Sequence, residues 1–431
     1  MHVKIPYESP EKRFTLDFEL PDNNIVGVIL PKVPLPLEPL EDHVVNALSS
    51  PIAGPKFTEI LGYGRKLTII VDNQFRPTPA HKILPPLLDI ALDRKADINL
   101  IFACGAVPPL NDEEILNKLG SKVVNKLGKD RILNNEARKR ENYVFRGITS
   151  FGTPVWIHKI VASAEVVVGI GLVQAEPFAG YGGGGKIVLP GVSSIDTIEA
   201  NHRMTISPKV YPGALENPVR QDIEEAADLA KLDFILNVVM NINGDVVGVF
   251  TGEHRQTFRK AVEYYDSLYR VKVPFNRPAD VTITGTFWPT DHLYFHTNWG
   301  VANSDLITRD GGTIVHASPS PGYRDWHGFV LMDLMKDYMP PTRENHEKAL
   351  RDILLGKKEM WCGCIWYKFY EILTRKDVVI ITEKENISEA RNIGLEVTNN
   401  IDEALKRIYS KHGRDVRIAI MPYGKWTLPT F

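Results

Sequence analysis

An apolar segment that runs into a glycine-rich loop and a lysine constrains the fold of this chain more than any other feature. Residues 165–172 are predicted to form a buried strand, and the loop that follows ends at Lys186. The loop contains four consecutive glycines: Gly182, Gly183, Gly184 and Gly185. Glycine allows a backbone to take positive φ and to approach a ligand closely. Ser193 is then predicted to cap a helix that carries His202 two turns later, so the order is strand, loop, helix.

The loop allows more than one interpretation. Gly180-x4-Gly185-Lys186 matches the first part of a nucleoside-triphosphate loop, but Ile187 stands where that loop requires serine or threonine. Because the missing hydroxyl is the magnesium ligand, the match argues against a nucleotidase. A structural interpretation remains: a tight turn with a solvated lysine and a core histidine. Alternatively, lysine and histidine meet over one small molecule.

The rest of the chain alternates strands with helices, which predicts an α/β fold with mainly parallel sheets covered on both faces. Residues 12–30 are predicted to form a hairpin, and 273–278 a linker between two domains. Further strands are predicted at 66–71, 97–103, 153–158, 234–241, 245–250, 281–284, 313–316, 378–382 and 416–421. Asp72, Asn73 and Arg76 follow the first of these, at a position where ligands bind in open α/β sheets.

Composition excludes several classes of protein. The chain has 431 residues, 43% of them hydrophobic, and a net charge of −2, which gives no general attraction to nucleic acid or to membranes. No apolar run approaches the 18 or so residues of a membrane span, and no signal peptide is recognised. Three cysteines cannot form a disulfide framework, so we expect a cytoplasmic protein.

The motifs together resemble one known family. The segment AGYGGGGKIVLPGVSSIDTIEANH, residues 179–202, is similar to the cofactor segment of the lactate racemase family, whose members carry the nickel-pincer nucleotide. Weaker motifs occur elsewhere in the chain, in the same order as in that family: Asp72 to Pro79, Gly152-Thr153-Pro154-Val155, Trp288-Pro289-Thr290-Asp291, Gly311-Gly312-Thr313-Ile314 and Met421 to Thr427. The similarity covers most of the chain.

The resemblance implies two α/β domains with an active-site cleft between them. The expected division is 1–273, rejoined by 415–431, and 274–414. The cofactor is a pyridinium with sulfur substituents and a phosphoribosyl group. By resemblance Lys186 forms a thioamide to it, His202 ligates nickel, and the four glycines with Asp72 and Asn73 line its site. Neutral imidazole suits nickel, and the cofactor accepts a hydride from the substrate and returns it.

The chain departs from the family at the positions that handle substrate protons. One general-base histidine of the family falls on Val107, which cannot accept a proton, and the other falls on Glu176. We expect burial beside Phe178 to raise the pKa of Glu176. A family lysine is absent from 296–299, where His296 appears as a candidate base, and Arg76 remains to hold a carboxylate.

These observations favour an enzyme: a nickel-pincer-dependent racemase or epimerase of a 2-hydroxy acid other than lactate. Its catalytic residues would be Glu176, His296 and Arg76. The alternatives are a hydride-shuttling isomerase or dehydratase acting on a sugar acid, and a non-catalytic protein that binds the same cofactor. The expected partners are the hydroxy-acid substrate and the proteins that synthesise the cofactor, without nucleic acid or membrane.

Overall fold

The computed structural model describes residues 1–8, 13–287, 294–320, 336–392 and 394–431. The chain divides into two units. One unit contains Val33–Val210 and Ala214–Ser267, and the other contains Met1–Lys32, Tyr211–Gly213 and Leu268–Phe431. Both are built from strands and helices around a largely parallel sheet, which confirms the predicted α/β class.

The unit formed by Val33–Val210 and Ala214–Ser267 contains a six-stranded sheet in the order β13-β12-β9-β4-β5-β6. All neighbours are parallel except β12 and β13, which form an antiparallel hairpin. The strands of this unit are β4 (Lys66–Asp72), β5 (Asp97–Ala103), β6 (Ile132–Asn134), β7 (Tyr143–Ile148), β8 (Pro154–His158), β9 (Val166–Leu172), β10 (Ala175–Glu176), β11 (Gly180–Tyr181), β12 (Phe234–Met240) and β13 (Val246–Gly252). Outside the six-stranded sheet, β7 pairs with β8 and β10 pairs with β11, both antiparallel.

Eight helices of this unit cover the sheet. They are α1 (Leu40–Ser49), α2 (Phe57–Leu61), α3 (Ala80–Asp93), α4 (Asp112–Leu127), α5 (Lys159–Ala162), α6 (Ile195–His202), α7 (Pro218–Leu229) and α8 (His254–Tyr269), the last of which ends in the other unit. Capping residues fix several helix starts. Asn111 and Asn217 each accept a hydrogen bond from the third residue of their helix, and Pro218 occupies the first turn of α7.

The unit that contains Leu268–Phe431 has a second six-stranded sheet, in the order β18-β17-β16-β15-β19-β3, with every neighbouring pair parallel. The described strands of this unit are β1 (His2–Glu8), β2 (Arg13–Glu19), β3 (Ile25–Val28), β14 (Arg270–Lys272), β15 (Ala279–Gly285), β16 (Thr308–Ala317), β17 (Asp377–Ile381), β18 (Glu396–Thr398), β19 (Ile418–Met421) and β20 (Leu428–Thr430). Outside the six-stranded sheet, β1 pairs with β2 in antiparallel and β14 pairs with β20 in parallel orientation. Its described helices are α9 (Tyr294–Asp305), α10 (Arg343–Leu354), α11 (Met360–Arg375), α12 (Lys384–Asn392) and α13 (Ile401–His412).

The predicted hairpin over 12–30 is wrong. β2 pairs with β1, not with the segment that follows it, and β3 instead joins the parallel sheet beside β19. The physical reason is burial: Val3, Ile5 and Phe18 pack into one core with strand residues such as Val281 and Ile418. β1 and β2 therefore bury the apolar sides of both strands against the sheet.

The division into units also differs from the expected one. The first 32 residues associate with Leu268–Phe431, and β19 pairs with β15 and β3, so residues 415–431 stay with the C-terminal unit. A strand joins a sheet that offers it an unpaired edge and an apolar surface. For β3 and β19, the sheet of the C-terminal unit provides both. In the described parts of the chain, no helix has the length and apolar composition needed to cross a bilayer.

Candidate active site

The candidate site lies where the order of strands reverses. From β4 the chain builds β5 and β6 on one side, and then β9 and β12 on the other. Loops at the carboxyl ends of β4 and β9 therefore leave in opposite directions and open a crevice, which is where ligands bind in open α/β sheets. The first loop carries Asp72, Asn73 and Arg76, and the second carries Glu176 and the glycines.

The glycine loop is shaped by contacts with the protein itself. Gly183 and Gly184 have φ of +87° and +58°, a region that favours glycine. A Cβ added to Gly184 would lie 2.7 Å from the Phe258 ring, and one added to Gly185 would lie 2.9 Å from Cβ of Ala227. The N–H of Gly184 donates to Oδ1 of Asn237 at 2.8 Å. Packing thus accounts for these glycines, and contact of Gly182 to Gly185 with a cofactor ring remains a prediction.

Arg220 forms hydrogen bonds with the backbone of the glycine loop, and the sequence analysis did not identify it as a site residue. Its guanidinium donates to the carbonyl oxygens of Ala179 (3.3 Å), Gly183 (3.2 Å) and Tyr181. The group is buried and lies 4.4 Å from the centre of the Phe258 ring. Burial lowers the pKa of Arg220 to about 10 although nearby carboxylates favour the charge. The available signal was the Asn217-Pro218 helix start, which places Arg220 in the first turn of α7.

Lys186 and Glu176 form a buried ion pair beneath this loop. Nζ of Lys186 lies 2.7 Å from Oε1 of Glu176, and the two side chains are 17% and 1% exposed. Oε1 also accepts the N–H of Ala179 at 2.5 Å, and Oε2 accepts that of Phe178 at 3.4 Å. The carboxylate is therefore fixed by the short β10–β11 turn, whereas the lysine reaches it from the far end of the loop.

Burial and the charges around this pair together set the pKa of each group. Burial lowers the pKa of Lys186 to about 8, with Arg76 and Arg220 adding to the effect and Glu176 opposing it. Burial alone would raise the pKa of Glu176, but the Lys186 ammonium and the Ala179 N–H outweigh it, and the net pKa is lowered. The expectation of a raised pKa at Glu176 is thus wrong, because it considered Phe178 and not the lysine.

His202 is the last residue of α6 and is 8% exposed. Burial, followed by the positive charge of Lys186, lowers its pKa to about 4, so its imidazole is neutral near pH 7. A hydrogen bond with the backbone of Ile198, one turn earlier in α6, opposes this lowering. The cap of α6 is Ser194 and not Ser193 as predicted: Ser194 accepts the N–H of Thr197, whereas Ser193 donates to the Val188 carbonyl.

Buried hydrogen bonds centred on Asp222 fix the position of α6, the helix that carries His202. Asp222 on α7 accepts hydrogen bonds from Asn201 Nδ2 (2.7 Å), Thr153 Oγ1 (2.9 Å) and Thr149 Oγ1 (2.5 Å). Thr197 Oγ1 donates to the Pro154 carbonyl at 2.7 Å. The Gly-Thr-Pro-Val motif of the sequence analysis therefore positions α6 and lies behind the site rather than in it.

The loop after β4 brings a second buried pair to the same edge. Nζ of Lys118 lies 2.7 Å from Oδ1 of Asp72 and donates to the Arg76 carbonyl at 2.7 Å. Oδ1 of Asn73 accepts the N–H of Phe75, which forms a turn. Burial lowers the pKa of Arg76, although Glu176 and Asp72 are near enough to favour its charge. Asp72 and Asn73 thus shape the loop, and their contact with a cofactor stays a prediction.

The remaining candidate residues are not shown beside the Lys186–Glu176 pair. His296 belongs to α9 in the other unit, and its side chain lies outside what is described, as do Trp288 and His292. Val107 is half-buried in the loop after β5, where its N–H donates to the Cys104 carbonyl. Among the described residues, no group of three or more His, Cys, Asp or Glu side chains forms a metal site.

Comparison with known proteins assigns the family. The family model of the lactate racemase N-terminal domain matches residues 12–213, and the family model of the lactate racemase C-terminal domain matches residues 275–426. The chain is 28% identical to the lactate racemase of Lactiplantibacillus plantarum over 98% of both chains. It is also 28% identical to that of Thermoanaerobacterium thermosaccharolyticum, again over 98% of both.

Solved structures agree with this assignment. The lactate racemase apoprotein from Thermoanaerobacterium thermosaccharolyticum superposes with a TM-score of 0.90 at 26% identity, over the full length of both chains. A crystal structure from Thermotoga maritima, with a TM-score of 0.68 and 19% identity over 92% of this chain and 99% of that one, supports the fold alone. The chain belongs to the lactate racemase family and is an enzyme of the isomerase class.

Proposed function

We propose that this enzyme is a nickel-pincer-nucleotide-dependent racemase or epimerase of a 2-hydroxy acid other than lactate. The observation that carries the proposal is the convergence of one reactive lysine and one neutral histidine at the strand-order reversal of a single sheet. Lys186 reaches the crevice from the glycine loop, and His202 reaches it from the end of the next helix. One loop and one helix of the same unit thus supply the two residues that the cofactor requires.

The residues present fit this cofactor. Lys186 has an amine with a pKa of about 8, which suits acylation better than an ordinary lysine with a pKa of 10.5. His202 is neutral near pH 7, and the neutral imidazole is the form that ligates nickel. By resemblance to the family, the remaining nickel ligands would come from the cofactor itself. When bound, the cofactor supplies a reversible acceptor for the hydride on the carbon that bears the substrate hydroxyl.

The side chains of this chain would do the rest of the work. Arg76, half-buried and charged, offers a planar pair of donors to the substrate carboxylate. Glu176 would accept the hydroxyl proton, since a general base must lie within about 3 Å of that oxygen. We assign the second base, for the opposite face of the substrate, to His296. We expect Glu176→Gln and His296→Ala each to lower turnover per nickel-loaded chain by roughly 10²-fold.

The choice of a substrate other than lactate rests on the residues that differ. Val107 and Glu176 stand where the resemblance places two histidines, and residues 296–299 lack the expected lysine. These changes alter proton acceptors and anion partners, whereas Lys186 and His202 are kept. The same changes motivate the alternatives of a sugar-acid isomerase or dehydratase and of a non-catalytic cofactor-binding protein.

The test is turnover by enzyme produced together with the cofactor-synthesis proteins, which we propose as its loading partners. Enantiopure 2-hydroxy acids, lactate and sugar acids would be incubated with it, and products separated by chiral chromatography. Substrates deuterated at carbon 2 would show whether the label returns to carbon, as hydride transfer requires. The Lys186→Ala variant, made in the same cells, controls for contaminating enzymes.

The outcomes separate the candidates. Inversion at carbon 2 with retained deuterium supports a racemase or epimerase, and lactate as the best substrate would contradict the specificity that we propose. Loss of water or movement of a carbonyl identifies the isomerase or dehydratase. Nickel-loaded protein without turnover on any substrate favours the non-catalytic alternative. We also propose a location in the cytoplasm, since the three cysteines of the chain are buried and are too few for a disulfide framework.

A further inference from the structure

Glu176 and Lys186 have the arrangement of a base and its nucleophile. The carboxylate is held by two backbone N–H groups and by burial, so Oε1 cannot turn away from Nζ of Lys186 at 2.7 Å. The lysine side chain as a whole is 17% exposed, whereas that of Glu176 is 1% exposed, so the lysine is the partner that lies nearer to solvent. In enzymes that use an activated nucleophile, base and nucleophile lie within hydrogen-bond distance in this way.

A second buried lysine–carboxylate pair in the same unit, Lys118 with Asp72, differs from the Lys186–Glu176 pair in exposure and in its hydrogen bonds. Nζ of Lys118 is equally close to a carboxylate, that of Asp72, but its side chain is 7% exposed. It also donates to the Arg76 carbonyl at 2.7 Å, so two acceptors hold it. In the described parts of the chain, Glu176 is the acceptor that the structure gives to the Lys186 ammonium. Lys118 is thus a structural lysine, and Lys186 is arranged to react.

We infer that the chain catalyses its own acylation at Lys186, with Glu176 as the base, and that the acyl donor is an aromatic thiocarboxylate. The identity of the donor rests on the proposed function, whereas the self-acylation rests on the Glu176–Lys186 geometry. The apoprotein would then need no separate transferase to attach its cofactor. Glu176 acts as a catalytic residue in this step because it touches the reacting amine.

The step balances without an oxidant or reductant. Glu176 takes one proton from the Lys186 ammonium, and the neutral amine attacks the carbon of the thiocarboxylate. A C–N bond forms, the C–O bond breaks, and the oxygen leaves as water with the proton that Glu176 returns and a second proton from nitrogen. Ammonium and thiocarboxylate thus give a neutral thioamide and water, and Glu176 ends as a carboxylate.

Burial favours the neutral amine of Lys186, and the nearby guanidinium groups add to this effect. Arg76, Arg220 and His202 face the Lys186–Glu176 pair, and the two arginines add to the lowering of the Lys186 pKa to about 8. At pH 7 the fraction of neutral amine is then roughly 300-fold larger than for an ordinary lysine with a pKa of 10.5. Glu176 opposes this effect, so an electrostatic role and a base role for Glu176 predict opposite results when it is removed.

The experiment uses the full-length apoprotein, made without cofactor-synthesis proteins, and the S-ethyl thioester of nicotinic acid as the probe. A thiolate that leaves poorly makes removal of the amine proton matter to the rate. Intact mass follows the extent of acylation, and peptide mapping compares Lys186 with Lys118 and with the exposed Lys209. Rates are measured from pH 6 to pH 10 for the parent, Glu176→Gln and Glu176→Asp.

We expect one acyl group, on Lys186, with a rate that rises through a pH of about 8. At pH 10, where the amine is neutral in each protein, Glu176→Gln should react about 10²-fold more slowly. Glu176→Asp keeps the charge but retracts the base, and should also be slower with its pH midpoint retained. The Asp305→Asn control removes the carboxylate beside buried Lys376, 2% exposed, and should leave acylation of Lys186 unchanged.

An equal or faster rate in Glu176→Gln would overturn the inference and leave Glu176 as an ion-pair partner. Acylation of Lys209 as fast as that of Lys186 would also overturn it. Circular dichroism checks each variant, and if Glu176→Gln fails to fold, Glu176→Asp decides in its place. Because the probe contains no nickel, failure here leaves the proposed function intact, which fails instead if co-produced protein shows neither nickel nor turnover.

Discussion

At the scale of single residues, the ion pair between Glu176 and Lys186 is the feature that sequence reasoning did not foresee. The spacing in the chain named both residues as candidates, but it placed Glu176 beside Phe178 and not beside the ammonium group. A pKa depends on charges within a few ångströms, and these come from separate segments of the loop. Candidate residues were therefore predictable from the sequence, and their protonation was not.

Removing the charge of Lys186 should show how strongly the pKa of Glu176 depends on the ammonium group. Lys186→Met keeps the aliphatic chain and leaves the Glu176 carboxylate buried without its ammonium partner, so we expect the free energy of unfolding at pH 7 to fall by about 3 kcal/mol. Without Lys186 the pKa of Glu176 should rise, and the deficit should shrink as pH falls toward 5 because the carboxyl becomes neutral. Urea denaturation at both pH values measures it.

The double variant Lys186→Met/Glu176→Gln is the matched control. It removes both charges, and it should recover most of the stability at pH 7. In the parent the sign is opposite: the lowered pKa of Glu176 contributes stability above its ordinary value of 4.5, which is lost as pH falls through the lowered pKa. A deficit in Lys186→Met that is the same at pH 7 and pH 5 would show that packing, not charge, causes it.

His202→Ala tests the metal ligand separately from the lysine. Alanine is well tolerated in helices, so α6 should persist and circular dichroism should be unchanged. Nickel per chain, measured by mass spectrometry of the metal in co-produced protein, should fall to a small fraction of the parent value. His316→Ala, which removes a buried histidine from β16 in the other unit, should retain nickel. Equal nickel in His202→Ala and the parent would reject the ligand assignment.

At the scale of elements, the glycine loop is held by packing from α7 and α8 as much as by its own sequence. Ile223 and Ala227 of α7 lie against Gly185, and Phe258 of α8 lies against Gly184. The strand, loop and helix order around Lys186 was predictable because it is local. The Arg220 contacts were not, since they join carbonyl oxygens of the loop to a side chain about 40 residues later.

Gly185→Ala should disturb the loop through one identifiable contact. The new Cβ would lie 2.9 Å from Cβ of Ala227 and 3.1 Å from the Ile223 carbonyl oxygen. Overpacking of this kind destabilises by about 1–3 kcal/mol, and the displaced Lys186 should be acylated more slowly by the nicotinic thioester. Thermal unfolding and the acylation rate measure the two effects.

A second substitution identifies the cause. Gly185→Ala/Ala227→Gly removes the closest contact and should recover part of the acylation rate. Gly171→Ala is the control within the same unit, because its Cβ would meet neighbours only at 3.7 Å or more, an ordinary contact. If the double variant is no faster than Gly185→Ala, the clash with Ala227 is not what the glycine avoids.

At the scale of the whole molecule, the N-terminal segment is where the sequence misled. Local alternation predicted a hairpin within 12–30, yet β3 pairs with β19, about 390 residues later, and β1–β2 covers the core of the same unit. Period-two patterns show which side of a strand is apolar, but they do not name its partner. The class of fold and most elements were predictable, whereas this long-range pairing was not.

The arrangement predicts how the chain can be divided. The N–H of Lys32 donates to the carbonyl oxygen of Leu268 at 2.9 Å, so the two segments of the C-terminal unit come together where the other unit is inserted. A fragment of residues 33–267 contains the whole Lys186–Glu176 pair and should fold with thioester acylation still at Lys186. Fluorescence-detected unfolding and peptide mapping check both properties.

The complementary fragment gives the sharper test. Residues 268–431 alone lack β1, β2 and β3, and they leave the apolar surface of Val281, Ile283 and Ile418 uncovered. We therefore expect aggregation or a loose state without cooperative unfolding. Joining 1–32 to 268–431 through a short Gly-Ser linker should restore a cooperative transition, because the ends to be joined are adjacent. A cooperative fold of 268–431 without the first 32 residues would contradict the contribution of β1–β3 to that core.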